Sequence, residues 1–136
     1  MMYALDTNII SYVLNGNTLL AIKLESVTQS GDKVVVPLMV YYEARRGLLA
    51  NNAAAKMRVF DKLCAKLGVR DLTVADMNTA AIIYADRKRI GKPIGDSDLL
   101  IAAQCVTHGY TLVTHNTRHF ESIDGLQVVD WAEQAG

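Results

Sequence analysis

The sequence is short of most residues that announce a chemistry or a compartment. It has two cysteines, two prolines and a single tryptophan in 136 residues. Cys64 and Cys105 are solitary, with no second cysteine at metal-ligand or redox spacing, which excludes a zinc ribbon, a thioredoxin-type pair and a disulfide scaffold. Each falls in phase with apolar neighbours: Cys64 with Phe60, Leu63 and Leu67, Cys105 with Ile101 and Ala102. Both are expected as small core residues of a reduced protein. No Gly-rich loop ends in Lys-Ser or Lys-Thr, which removes the phosphate-binding NTPases. No apolar run approaches the roughly 20 residues of a membrane span. Asp6 follows the start too closely for the apolar stretch of a signal peptide, so a cytoplasmic protein without membrane partners is expected. Linker-like tracts and internal repeats are missing too, and the expectation is one domain over residues 1–136.

Excess charge is also missing. Fourteen Lys and Arg balance fourteen Asp and Glu, whereas nucleic-acid binders usually carry a basic surplus. The distribution says more than the sum. Bases gather in Arg45-Arg46 and in Arg87-Lys88-Arg89 with Lys92, while acids gather at the ends of expected strands and helices. That separation suits a basic rim around an acidic centre, although any single basic cluster reads first as a solvated helix face.

What is present is a core, 51% hydrophobic, patterned in alternating strands and helices. Met2–Leu5 reads as a strand running into a helix from Ile9 to Leu14, and Thr18 as the cap of a second helix that stops at Gly31. Val34-Val35-Val36 has no polar alternation, the pattern of a strand covered on both faces. Pro37 sits at a helix start, with helix expected to Leu49. Further helix is expected over Ala53–Leu67, then a strand within Val69–Thr73. Thr73 or Asp76 caps a long helix to Ile90, and Asp96 or Ser97 caps another to His108, which Gly109 stops in the left-handed conformation. Tyr110–Thr114 and Leu126–Val129 read as strands around a polar loop from Asn116 to Glu121. This rhythm implies α/β architecture with a central parallel sheet flanked by helices. Ligands of such sheets bind at the carboxyl ends of the strands, where strand order reverses.

Four acids point to that edge. Asp6, Asp96 and Asp98 each read alone as a helix cap or first-turn acid. Glu43 reads alone as a helical surface glutamate, except that Val40, Tyr41, Tyr42 and Ala44 around it are largely apolar. Of the histidines, His108 is placed for the carbonyls and dipole at a helix end. His115 and His119 flank Asn116 and Arg118, where a phosphate contact is possible, without the spacing of a zinc site.

Together the strings Leu5-Asp6-Thr7-Asn8-Ile9, Tyr42-Glu43-Ala44-Arg45-Arg46-Gly47, Ile94-Gly95-Asp96-Ser97-Asp98-Leu99-Leu100-Ile101-Ala102-Ala103 and Thr111-Leu112-Val113-Thr114-His115-Asn116-Thr117-Arg118-His119-Phe120 resemble the PIN-domain nucleases. Among these the chain is most similar to the VapC-type toxins of bacterial toxin–antitoxin pairs. The likeness extends to the closing Gly125-Leu126 and Val129-Asp130-Trp131. It implies a PIN-like three-layer fold and a metal-dependent endoribonuclease acting on RNA, such as structured tRNA. It further implies Mg²⁺ or Mn²⁺ as cofactor, a small antitoxin as partner and a homodimer. By the same resemblance Asp6, Glu43 and Asp98 take metal-ligand positions, with Glu43 either a ligand or an orienter of the attacking water. Asp96 is an auxiliary acid, and Asn116 stands where many relatives have a further Asp. Mg²⁺ keeps several waters, so one to three carboxylates suffice. The rival readings are a catalytically silent PIN-like module that binds RNA or protein, and an aspartyl-phosphate phosphatase. The latter is disfavoured by Asn8 where a second Asp is needed.

Overall fold

Val34, Val35 and Val36 lie in the middle of the molecule with both faces covered, as their lack of alternation requires. They belong to β2 (Lys33–Pro37), which pairs in parallel with β1 (Met2–Leu5), Tyr3 lying opposite Val34. The computed structural model describes residues 1–132. Within it β3 (Val69–Arg70), β4 (Thr111–Val113) and β5 (Gln127–Val129) complete a five-stranded parallel sheet in the order β3-β2-β1-β4-β5. The chain steps outward from β1 to β2 and β3, then returns to place β4 and β5 on the other side. Strand order therefore reverses at β1, and the crevice at its carboxyl end is where such a sheet presents a ligand site.

Among the described residues, six helices supply the other two layers of this three-layer α/β fold: α1 (Thr7–Leu14), α2 (Thr18–Gln29), α3 (Leu38–Ala50), α4 (Ala54–Leu67), α5 (Val74–Arg89) and α6 (Asp96–His108). Helix α1 packs against α2, α3 and α4, whereas α6 packs against α5, α3 and β4. Trp131 is buried and its ring meets that of Tyr3 at 5.1 Å between centroids, which fastens the segment after β5 to the central strand.

Several boundaries differ from the sequence-based expectation, each for a local reason. Asn17, not Thr18, caps α2, because its side chain accepts the Leu20 amide at 3.0 Å. Pro37 ends β2 and caps α3 with extended backbone, one residue before the helix. The strand expected within Val69–Thr73 ends at Arg70. The buried Gln104 amide donates to the carbonyls of Arg70 and Asp71, at 2.9 and 3.1 Å, where the strand stops. Thr73 is then free to cap α5 in a capping box with Asp76, in which each side chain accepts the other's backbone N–H. Neither Asp96 nor Ser97 caps α6. Gly95 does so with extended backbone and no side-chain bond, which makes Asp96 and Asp98 first-turn acids. Gly109 adopts the left-handed conformation expected after α6, with φ of 72°. The loop after β4 holds a 3-10 helix, Thr117–Phe120, pinned by the buried Phe120 ring.

Candidate active site

Asp6 is the first residue beyond β1, and its backbone N–H donates to the Val113 carbonyl of β4 at 2.9 Å. That bond locks the carboxyl ends of the two strands together. Asp6 is at once the N-cap of α1 and a buried acid, 6% exposed, so the structural and the functional readings of this residue coexist. Its Oδ1 accepts the Thr7 N–H and its Oδ2 the Thr114 hydroxyl, both at 2.8 Å. Thr114 is wholly buried and acts as a hub. Its oxygen also accepts from the Asn8 side-chain amide at 3.2 Å and from the Asn116 N–H at 3.1 Å. The Asn8 carbonyl oxygen in turn accepts the His115 N–H.

Burial pushes the Asp6 carboxyl above its ordinary range. The Thr114 hydroxyl and the Thr7 amide pull it back, while the charges of Asp98 and Glu43 push it further up. Two of the other expected acids thus act on Asp6 at the switch point. Desolvation of Asp6 outweighs the charges of Asp98 and Glu43. Glu43, from α3, is fixed by the Thr7 hydroxyl, which donates to its Oε1 at 2.9 Å. Arg46 approaches its other oxygen at 3.8 Å, and the Arg46 guanidinium lies over the Tyr42 ring. Asp98 sits in the first turn of α6, where the helix dipole favours its charge, and His119 Nε2 meets it at 2.7 Å.

The remaining expectations land elsewhere. Asp96 is exposed at the first position of α6, and the acids that push on Asp6 are Asp98 and Glu43. Asn116 is exposed and enters the network only through its backbone N–H. His115 pairs with Asp130 at 2.9 Å rather than with an acid of the cluster. His108 does not serve the carbonyls of its own helix. It faces the buried Asp76 at 3.0 Å and stacks on Tyr110. The basic rim is thinner than the sequence suggests. Arg87 is buried and donates to the Glu121 carbonyl at 2.7 Å, tying α5 to the loop after the 3-10 helix. Arg45 pairs with Asp61 and Arg89 with Asp86. Both cysteines are buried, and desolvation pushes Cys64 up to about 11 and Cys105 up to about 12. Neither supplies a thiolate near neutral pH.

The donor set at the switch point is oxygen only, the preference of Mg²⁺ and Mn²⁺. Among the described residues no three His, Cys, Asp or Glu side chains close into a ready-made metal cage. An ion held by one or two carboxylates with waters completing the octahedron needs no such cage, so the residues fit Mg²⁺ better than a structural transition metal. A cation would also offset the desolvation of Asp6. Thr7, Asn8 and Thr114, which hold the acids, were not singled out from the sequence. Their only signal was a place beside Asp6 or at the end of β4.

The PIN domain pattern matches residues 3–126 of the chain. Ribonuclease VapC1 of Haemophilus influenzae (strain R2866) is 28% identical, covering 98% of this chain and all of that one. The tRNA(fMet)-specific endonuclease VapC of Shigella flexneri is 26% identical over 96% of this chain and 98% of its own. Among solved structures, VapBC-1 from nontypeable Haemophilus influenzae superposes with a TM-score of 0.84 at 30% identity, over 97% of this chain and 99% of that one. VapBC2 from Rickettsia felis, bound to a DNA fragment from its promoter, superposes with a TM-score of 0.90 at 25% identity, over 96% and 99%.

Proposed function

The chain belongs to the PIN domain family, and from that premise we propose that it is an endoribonuclease whose phosphodiester chemistry takes place at Asp6, Glu43 and Asp98. One observation carries the reading: a desolvated Asp6 lies under the charge of two further carboxylates, at the crevice where strand order reverses. Folding accepts that electrostatic cost only where the arrangement has a use. The residues suited to hold Mg²⁺ or Mn²⁺ are Asp6 and Asp98, with Glu43 as a third ligand or as the group that orients the attacking water. When bound, the ion makes water a better nucleophile and offsets charge developing on the phosphoryl oxygens.

The chain's own residues do the positioning. The Thr7 N–H and the Thr114 hydroxyl hold one oxygen each of Asp6, and each oxygen keeps a further lone pair. The Thr7 hydroxyl fixes one Glu43 oxygen, and Arg46 approaches the other at 3.8 Å. Placement in the first turn of α6 sets the Asp98 carboxyl where the helix dipole favours an acid. RNA is the substrate proposed, with structured RNA such as tRNA suggested by the name of the Shigella relative. A small antitoxin is the inhibitory partner proposed, since the superposed structures are VapBC assemblies. A homodimer is proposed too, and the exposed Val74, Met77 and Tyr84 on α5 give it apolar surface.

Purified chain incubated with total tRNA should produce discrete fragments with Mg²⁺ or Mn²⁺ and none with EDTA. Asp6→Asn and Asp98→Asn should each cut at least about 100-fold more slowly while remaining folded. Parent-like cleavage by both variants, or intact RNA with the parent, refutes the assignment; the second result favours a silent binding module.

A further inference from the structure

Beside Glu43 the surface opens into a groove of about 220 Å³ between α1, α3 and the start of α4. It shares Glu43 with the acid cluster and runs away from it past Ser11, Asn15, Gly47, Asn51 and Lys56. The volume is below the roughly 300–1,000 Å³ of a drug-sized pocket and suits one nucleoside-sized group.

Gly47 is the informative residue. Glycine is the poorest helix former after proline, and Gly47 sits inside α3. Its backbone needs no left-handed angle, and a Cβ built on it would meet nothing within 4 Å. Neither conformation nor packing within the chain accounts for the missing side chain. A ligand that approaches the helix backbone in the groove does.

The far end of the groove carries a positive charge. Lys56 Nζ is held across it by Asn15 Oδ1 at 2.6 Å, and among the described residues it has no carboxylate partner. The Asn51 amide and the Ser11 hydroxyl make no hydrogen bond with other described side chains or backbone. A groove with the Glu43 carboxylate at one end, an ammonium without a carboxylate partner at the other and free amide and hydroxyl groups between fits a nucleotide. We propose that it binds the nucleotide flanking the scissile phosphate of an RNA strand, with its base or ribose over Gly47 and its outer phosphate on Lys56. The proposal rests on the ribonuclease reading for the direction of the strand, and not for the groove itself.

Binding without turnover tests it. A fluorescein-labelled decaribonucleotide of mixed sequence is titrated with protein in EDTA and followed by anisotropy, for the parent, Gly47→Leu, Lys56→Ala and Asn51→Ala. Gly47→Leu should weaken binding at least about tenfold by filling the groove. Lys56→Ala should weaken it and lower the slope of log affinity against log salt by about 0.7, the value for one phosphate contact on a single strand. Gly47→Ala serves as the folding control and should melt no lower than the parent, since alanine is the better helix former. Parent-like affinity for Gly47→Leu, with a parent-like melt, overturns the proposal. If that variant also escapes inhibition by the antitoxin, the groove is a protein-docking site instead. RNA held in the groove by a parent that cuts nothing refutes the nuclease reading and leaves the groove standing. Cleavage by Gly47→Leu at the parent's rate and affinity refutes the groove alone.

Discussion

Replacing Thr114 by valine keeps the shape of a wholly buried side chain and removes one hydroxyl. That hydroxyl donates to Asp6 Oδ2 and accepts from the Asn8 amide and the Asn116 N–H. A hydrogen bond to a charged group contributes about 1.5–3 kcal/mol, against roughly 0.5–1.5 kcal/mol for a neutral one. With Asp6 ionised, Thr114→Val should cost about 1.5–3 kcal/mol. Unfolding entropy of about 2.1 cal/mol/K per residue over 136 residues makes 1 kcal/mol roughly 3.5 °C. The variant should therefore melt about 5–10 °C lower at neutral pH in EDTA. The pH dependence has a definite sign. Asp6 has a folded pKa above its unfolded one, so its contribution favours folding below the unfolded pKa and is lost as pH rises through the folded pKa. Removing the hydroxyl, the largest influence lowering that pKa, raises it further. The deficit of the variant should thus be largest at neutral pH and shrink to about the neutral-bond value as pH falls and Asp6 is protonated. In an Asp6→Asn background the same substitution should cost about half as much, and Thr114→Ser should recover most of the loss. Thermal melts of these variants between pH 4 and pH 8 decide the matter. A deficit independent of pH and undiminished by Asp6→Asn would falsify the claim that Thr114 acts through the Asp6 carboxylate.

Two further outcomes are expected. Mn²⁺ at about 100 times its Kd should add roughly 2.7 kcal/mol to the stability of the parent, or about 9 °C in Tm, and clearly less to Asp6→Asn or Asp98→Asn. Equal metal responses in all three proteins would separate these acids from the metal. Asn116→Asp should tighten Mn²⁺ binding in a calorimetric titration only if the side chain turns from its exposed position toward the acids; unchanged affinity would leave Asn116 outside the site.

Much of the scaffold was legible because burial leaves a period in the sequence. Val34-Val35-Val36 announced a covered strand, and Gly109 announced the end of α6. Asp6, Glu43 and Asp98 were legible as a set only through their resemblance to a family, since each alone has a structural use. What periodicity does not encode is the partner of a polar side chain. The bond from Thr114 to Asp6 spans 108 positions, and nothing local in either residue specifies it. Gln104 and Arg87 were unreadable for a related reason. Both are polar residues on buried faces, placed there to claim carbonyls at the end of β3 and after the 3-10 helix. His108 was misread because a helix-end position suggested carbonyls, while the buried Asp76 thirty-two residues earlier was the stronger partner.

The strand order has a consequence in time. Asp6 leaves the ribosome 108 residues ahead of its partner hydroxyl, an interval of roughly 5–20 s at about 5–20 residues per second. Until β4 emerges, β1 has an open edge and Asp6 lacks both its neighbour strand and the Thr114 hydroxyl. The nascent chain can build β1, β2 and β3 in that interval, but not the crevice. Topology therefore delays the crevice itself: the surroundings of Asp6 are completed only once β4 and Thr114 have been delivered.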